Sequence, residues 1–486
     1  MTQEALETGS VVDGFVIGER IHSGGMANLW SVHKPGIETA LLMKAPKLLD
    51  GDDATAIVGF EMEMMILPRL SGAHVPRCYA VGDYARQPYV VMERINGHLL
   101  LDRLDSAPLP PGEVAAIGAR IATALVDLHR QNVLHLDIKP SNVMMRESGQ
   151  ATLIDFGLSH HLLLPDLLQE EFEVPIGTGP YISPEQLFKI RTDPRSDIFS
   201  LGVLLYHFAT KVRPFGYPKS QQGLRARLWR DPPPPRSLAP DVPPWLQEII
   251  LHCLEPEPDA RYPSAAQLLF DLNNPGEVAL TARALKTRRD PLVKAITRWF
   301  LSGAPDPSPQ HRPAAGSIAS APIIMAAIDF SDDSEALADS LRSHVGRVLA
   351  TATNVRLACV NVLRQARLTI NYSVDEQGQN LHVQRLVALK EWARPLGLAP
   401  DHMTFHVLEH PDPAQALLEY ARTNHVDHIL IGARGLTGLR RLLGSVSARV
   451  VAEAPCTVTL VRLTGSGDVA EEIVNDSRGA AGLSNS

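Results

Sequence analysis

The chain has 486 residues, too many for one ordinary core, and its 45% hydrophobic and 21% charged content is that of folded domains rather than of a disordered chain. A net charge of −8 and a pI near 6.1 argue against general nucleic-acid binding, which shows as a basic surplus. Cys78, Cys253, Cys359 and Cys456 form no C-x-x-C pair, the N-terminus lacks the basic flank and apolar stretch of a signal peptide, and no window reaches the roughly 18 apolar residues of a membrane span. These features predict a soluble, cytoplasmic protein with no nucleic-acid partner and no membrane span.

Up to about Leu104 the chain reads as short strands broken by turns, clearest at Val11–Ile21, Leu29–His33, Ala40–Lys44 and Tyr89–Glu93. One helical stretch, Ala54–Leu70, interrupts them. From Pro111 to Leu272 helical spacing dominates, strongest over Gly112–Arg130, Asp197–Ala209 and Trp245–Leu254. Pro232–Pro235 and Pro243-Pro244 read as a rigid surface connector. Residues 274–320 read as a linker, with a basic stretch over Arg283–Arg298 and then a Pro/Ser/Gly-rich segment. Beyond it strands and helices alternate. Strands are expected at Ile323–Ile328, Val355–Leu363, Met403–Leu408, His428–Ile431 and Thr457–Val461, and helices at Ser334–Ala350, Leu381–Leu396, Pro413–Thr423 and Val446–Ala452. That alternation predicts a parallel sheet with helices on both faces. Residues 465–486 are polar and are expected to be a disordered tail.

The chemistry concentrates in His135-Leu136-Asp137-Ile138-Lys139-Pro140-Ser141-Asn142, followed by Asp155-Phe156-Gly157. A carboxylate, an ammonium, an amide and a second carboxylate stand at the spacing that phosphoryl transfer uses to orient a hydroxyl, balance phosphate charge and hold magnesium. On these motifs residues 11–273 resemble a bacterial Ser/Thr protein kinase of the eukaryotic type. The resemblance implies an α+β two-lobed protein-kinase fold, with ATP and Mg2+ as cofactors and protein substrates bearing Ser/Thr acceptors.

Matched residue by residue, Asp137 is the expected base and Lys139 steadies the γ-phosphate, while Asn142 and Asp155 are the expected metal ligands. The glycine-rich loop falls on Ile21, Gly24, Gly25, Ala27 and Leu29, with His22 and Ala27 where the family has its first and third glycines. Lys44 matches the phosphate-holding lysine. Glu63 matches its helix partner, with Glu61 the competing candidate. Met92 and Glu93 match the gatekeeper and hinge, Ile95 would offer backbone groups to adenine, and Met144 would pack beneath the base. Leu42 stands where the family usually has alanine. Glu185 should pair with Arg261, and Asp197 should brace the catalytic loop.

Leu136 stands where loop-regulated kinases carry the arginine that binds a phosphorylated activation segment. His160–Ile176 holds no Ser, Thr or Tyr and carries Glu170, Glu171 and Glu173. Activity is therefore expected not to need phosphorylation within that stretch.

Residues 321–464 resemble a universal stress protein domain, an α/β doubly wound parallel-sheet fold. Asp329, Gly432, Gly435, Gly444 and Ser445 carry the likeness, which implies either nucleotide binding or a structural, dimerising role. Pairing through Thr457–Val461 would give a homodimer and bring two kinase domains together. Three other readings stay open at this point: a pseudokinase scaffold, a small-molecule kinase, and a nucleotide-binding stress sensor with an incidental kinase lobe.

Overall fold

The computed structural model describes residues 6–47, 54–288, 318, 321–331, 334–352, 354–364, 380–433 and 444–462. The first lobe is a six-stranded antiparallel sheet, β1 (Val11–Val12), β2 (Phe15–Ser23), β3 (Ala27–His33), β4 (Leu41–Pro46), β5 (Cys78–Asp83) and β6 (Gln87–Glu93), in the order β1-β2-β3-β4-β6-β5. The strand expected over Val11–Ile21 is two strands. Asp13 (φ 50°) and Gly14 (φ 81°) form a two-residue hairpin turn that needs positive φ at both positions. Helix α1 (Ala54–Ile66) packs on this sheet and ends before Pro68, where a single 3-10 turn takes over.

The second lobe is mainly helical. It is built on α2 (Pro111–Arg130), which buries one face, and α4 (Arg195–Thr210), which is buried along its whole length. Strand β7 (Gly97–Leu99) precedes α2, and between the two helices run β8 (Val133–Leu134), β9 (Val143–Arg146), β10 (Ala151–Leu153) and β11 (His160–His161). A five-residue helix, α3 (Leu167–Glu171), follows, started by Asp166, whose carboxylate accepts the Gln169 amide. It is too short to leave a helical period in the sequence. Then come α5 (Gln221–Arg225), α6 (Pro235–Leu238), α7 (Pro244–Cys253) and α8 (Ala265–Asn273).

The start of the expected linker lies against this lobe. In α9 (Ala282–Leu285) Ala284 is fully buried, Arg283 bridges Glu248 and Glu255, and Lys286 pairs with Asp231. The rest of the basic stretch, from Arg289 on, is outside the described residues, as is the C-terminal tail.

The C-terminal domain is a five-stranded, wholly parallel sheet in the order β14-β13-β12-β15-β16. Its strands are β12 (Ile323–Ala327), β13 (Arg356–Leu363), β14 (Met403–Glu409), β15 (His428–Ala433) and β16 (Thr457–Arg462). Helices α10 (Glu335–Thr351), α11 (Leu381–Ala393), α12 (Pro413–Thr423) and α13 (Ser445–Glu453) cover it. The central strand β12 is buried along its whole length, as a strand covered on both faces must be. From β12 the chain steps out to β13 and β14, then crosses back to β15 and β16. That reversal opens a crevice at the strand carboxyl ends. One apolar cluster runs without a break from α1 and α2 to α11 and β13. No helix among the described residues is long and apolar enough to cross a membrane.

Candidate active site

Strand β4 buries Leu41, Met43 and Ala45 on one face and turns Leu42 and Lys44 to the other. Lys44 Nζ lies 2.5 Å from Glu63 Oε2 and 2.9 Å from Asp155 Oδ1. Glu61, the competing candidate, faces away and pairs with Lys390. Burial opposes the charge on Lys44, but the carboxylates of Asp155 and Glu63 overcome it and hold the ammonium pKa above its ordinary value. Lys44 in turn holds the Asp155 carboxyl down at about 2. Desolvation raises the Glu63 pKa against the pull of Lys44. Gly59 lets α1 approach the metal loop: a Cβ there would stand 3.1 Å from the Gly157 carbonyl oxygen.

The catalytic loop hangs from Asp197 at the start of α4. Its fully buried carboxylate accepts the amides of His135 at 2.9 Å and Leu136 at 2.7 Å, and lies 2.9 Å from His129 Nε2. Leu136 is itself buried and takes φ 60°. Asp137 is thereby fixed among its partners. Asp137 Oδ2 sits 2.6 Å from Lys139 Nζ and accepts Asn142 Nδ2 at 2.9 Å. Asp137 Oδ1 accepts the Thr178 hydroxyl at 2.5 Å, and that hydroxyl accepts Lys139 Nζ at 2.9 Å. A hydroxyl between this carboxylate and this ammonium is the arrangement an alcohol acceptor needs for loss of its proton. Below it, Glu185 and Arg261 form a bidentate pair at 2.7 and 2.8 Å, both side chains buried.

Met92 and Ile95 are buried on the segment joining the lobes, and Glu93 is tied across to β9 by Arg146 at 2.6 and 3.1 Å. Met144 is half-buried on β9. In the glycine-rich loop the Gly24 amide donates to the Ala27 carbonyl at 3.0 Å. Ile21 is exposed on β2, and Ala27 and Leu29 are half-buried on β3. A Cβ on Gly25 would meet nothing within 4 Å, so internal packing does not explain the glycine. Sequence reasoning did not single out Arg227, a buried guanidinium that donates to the carbonyls of Gly179 and Ile182 and so holds the end of the activation segment.

The C-terminal crevice is a cavity of about 480 Å³. Asp329, Gly432, Gly444 and Ser445 all line it; Gly435 lies outside the described residues. Gly432 has a packing reason as well, since a Cβ there would come within 2.8 Å of Leu337. Asn361, which the sequence reading passed over, also lines the cavity. Its Nδ2 donates to the Ile328 carbonyl at 2.8 Å, and its buried Oδ1 has no partner. The signal was a lone amide inside the apolar run of β13.

Two family models match the chain. The family model for the protein kinase domain matches residues 16–271, and that for the universal stress protein family matches residues 322–462. The serine/threonine-protein kinase PknL of Mycobacterium tuberculosis is 29% identical over 315 residues, covering 65% of this chain and 74% of the relative. PknB of Mycolicibacterium smegmatis is 29% identical over 265 residues, covering 54% of this chain and 42% of that protein. Among solved structures, the Mycobacterium tuberculosis PknI kinase domain aligns at 22% identity with a TM-score of 0.45, covering 56% of this chain and 100% of that one.

Proposed function

This chain belongs to the protein kinase family, as a serine/threonine protein kinase with a universal stress protein domain behind it, and on that premise we propose that it moves the ATP γ-phosphate onto protein Ser or Thr hydroxyls, its own included. The observation that carries the reading is the Asp137–Lys139–Asn142 group with a hydroxyl already seated on Asp137. Asp137 orients the acceptor and takes its proton, a contribution worth on the order of 10²–10⁴ in rate. Lys139 balances the transferred phosphoryl group, and Lys44, fixed by Glu63, holds the phosphates behind it. The open space around Gly25 suits close approach of a polyphosphate. Met92, Glu93, Ile95 and Met144 would frame the adenine.

Asn142 and Asp155 fit a magnesium ion. Both offer hard oxygens, and the Asp155 carboxylate stays ionised while its side chain is half-exposed. When bound, the metal would neutralise negative charge on the phosphate oxygens.

The cavity at Asp329, Gly432, Gly444 and Ser445 is the proposed second nucleotide site, with phosphates at the start of α13. Support comes from its place at the switch point of the sheet and from the unpaired Asn361 Oδ1, an acceptor for an exocyclic amine. Pairing of two copies through β16 is proposed on the grounds that it is an edge strand. Four free thiols, two of them fully buried, suit a reducing cytoplasm.

The test is transfer of labelled γ-phosphate from Mg-ATP to the chain or to a basic protein, with Asp137→Ala alongside. Label that is lost in the variant is expected. Equal label in both, or none in either, would defeat the reading.

A further inference from the structure

The activation segment lacks the means to be ordered by phosphorylation over His160–Ile176, having no hydroxyl there and a buried leucine at position 136. It is nevertheless held in place: Arg191 of the kinase lobe pairs with Asp166 at 2.6 Å, and the groups that hold α3 beyond it belong to the C-terminal domain. Helix α3 lies along the edge strand β14. Arg356 Nη1, at the start of β13, is 2.8 Å from Glu170 Oε1. His406, fully buried in β14, has one ring nitrogen 3.2 Å from Glu170 and the other 3.4 Å from Glu171, which are ion-pair distances rather than aligned hydrogen bonds. Tyr420 donates its hydroxyl to Glu170 at 3.2 Å, Asn424 donates to the Glu170 carbonyl at 3.1 Å, and His382 stands 3.7 Å from Glu171.

A second grip falls on α1. Lys390 Nζ is 2.5 Å from Glu61, two residues before the glutamate that pairs with Lys44, and it lies over the rings of Tyr84 and Phe405. Tyr84 in turn donates to the Ile57 carbonyl of the same helix at 3.2 Å. Helix α1 is the element whose position makes or breaks the Lys44–Glu63 pair, and its Gly59 rests on Gly157 beside Asp155.

We propose that the C-terminal domain is a cis-acting positioning element for phosphoryl transfer: through Lys390 on Glu61, and Arg356 and His406 on Glu170 and Glu171, it holds α1 and the activation segment in the arrangement that closes the Lys44–Glu63 pair. Buried carboxylates facing buried cations select one docked geometry, because a displaced domain would leave those charges unpaired and dry. Arg356, Lys390 and His406 are therefore positioning residues for the reaction at Asp137, although none touches the reacting groups. The inference rests on the phosphoryl-transfer reading above.

The test uses the full chain and a charge swap at the more accessible contact. Lys390→Glu, Glu61→Lys and the double variant are compared for kcat, for KM of ATP, and for amide hydrogen exchange over α1. Each single variant is expected to lower kcat at least tenfold, to raise KM for ATP and to deprotect α1. The double variant is expected to recover at least half of the wild-type kcat together with the protection of α1. Urea denaturation midpoints that leave the single variants fully folded at the assay temperature separate this from a loss of stability. Arg356→Ala with Glu170→Ala gives an independent break at α3 and is expected to act in the same direction. Deprotection of α1 with kcat unchanged would overturn the proposal. So would unchanged α1 exchange in every variant, or a double variant no more active than the singles. Wild type beside Asp137→Ala reports on phosphoryl transfer itself: no label in either defeats that reading, and the exchange of α1 still decides whether the C-terminal domain holds the helix.

Discussion

The two candidate sites of this chain are assembled by opposite means. At the kinase centre every charged group already has a partner: Lys44 lies between Glu63 and Asp155, and Asp137 is ringed by Lys139, Asn142 and Thr178. The C-terminal cavity is a product of strand order, lined by apolar side chains such as Leu337, Leu341 and Leu417 and by a few polar ones, and Asn361 leaves a buried acceptor unfilled within it. A site that does chemistry needs its charges oriented before the substrate arrives, since that orientation is what lowers the barrier. A site that only binds can leave a polar atom for the ligand to satisfy.

That contrast breaks first at Asp137. Asp137→Ala is expected to cut transfer by on the order of 10²–10⁴ while ATP is still bound, read from labelled phosphate and a nucleotide titration. If the rate fell only a few-fold, preorganised charge would not be the working principle of the centre. Next, Arg261→Ala strands the Glu185 carboxylate in a dry site and is expected to cost about 3–5 kcal/mol, read from chemical denaturation.

The docking of the two domains supplies a pH test. His406 is surrounded by Glu170 and Glu171 of α3 and by Tyr420 of α12, with Arg356, His382 and Glu61 beside those carboxylates. Burial opposes its charge, but the two glutamates overcome it and push its pKa from 6.5 up to about 9. A folded-state pKa above the unfolded one means that the stabilisation is full below about pH 6.5 and is lost as pH rises through about 9. Hydrogen exchange over α3 is expected to quicken across that window in the wild type and to show no such step in His406→Gln. The smallest effect belongs to the cavity. Asn361→Leu is expected to weaken ATP there about tenfold, the worth of one hydrogen bond, in a calorimetric titration with Lys44→Met present to weaken the first site.

Much of the kinase centre was legible because its chemistry demands particular residue types within a few positions of one another. Asp137, Lys139 and Asn142 fall within one loop, and their mutual bonds follow from that spacing. The spacing Phe60-x-x-Glu63-x-x-x-Leu67 favoured Glu63 over Glu61 as the partner of Lys44, and the structure pairs them. What was not legible is the partner of Glu61, which is Lys390, 329 residues further on. Helix α3 was invisible because five residues hold less than two helical turns. Its docking was invisible because Arg356 lies 186 residues from Glu170. The C-terminal sheet was readable from apolar strand runs at β12 and β15. Asn361 was not, since the burial that makes its lone acceptor informative is a property of the folded strand.

In the proposed dimer, the order of that sheet would also set the kinetics of the proposed self-modification. Strand β14 carries the kinase domain, and β16 is the opposite edge. Two copies joined along β16 would make one continuous sheet with a kinase domain at each far end, and at about 4.8 Å per strand the two α3 helices would stand roughly 40 Å apart. Neither catalytic loop could then reach its partner's activation segment without undocking. Autophosphorylation in such an assembly would proceed by collision between dimers, so its initial rate would rise with the square of protein concentration rather than in proportion to it.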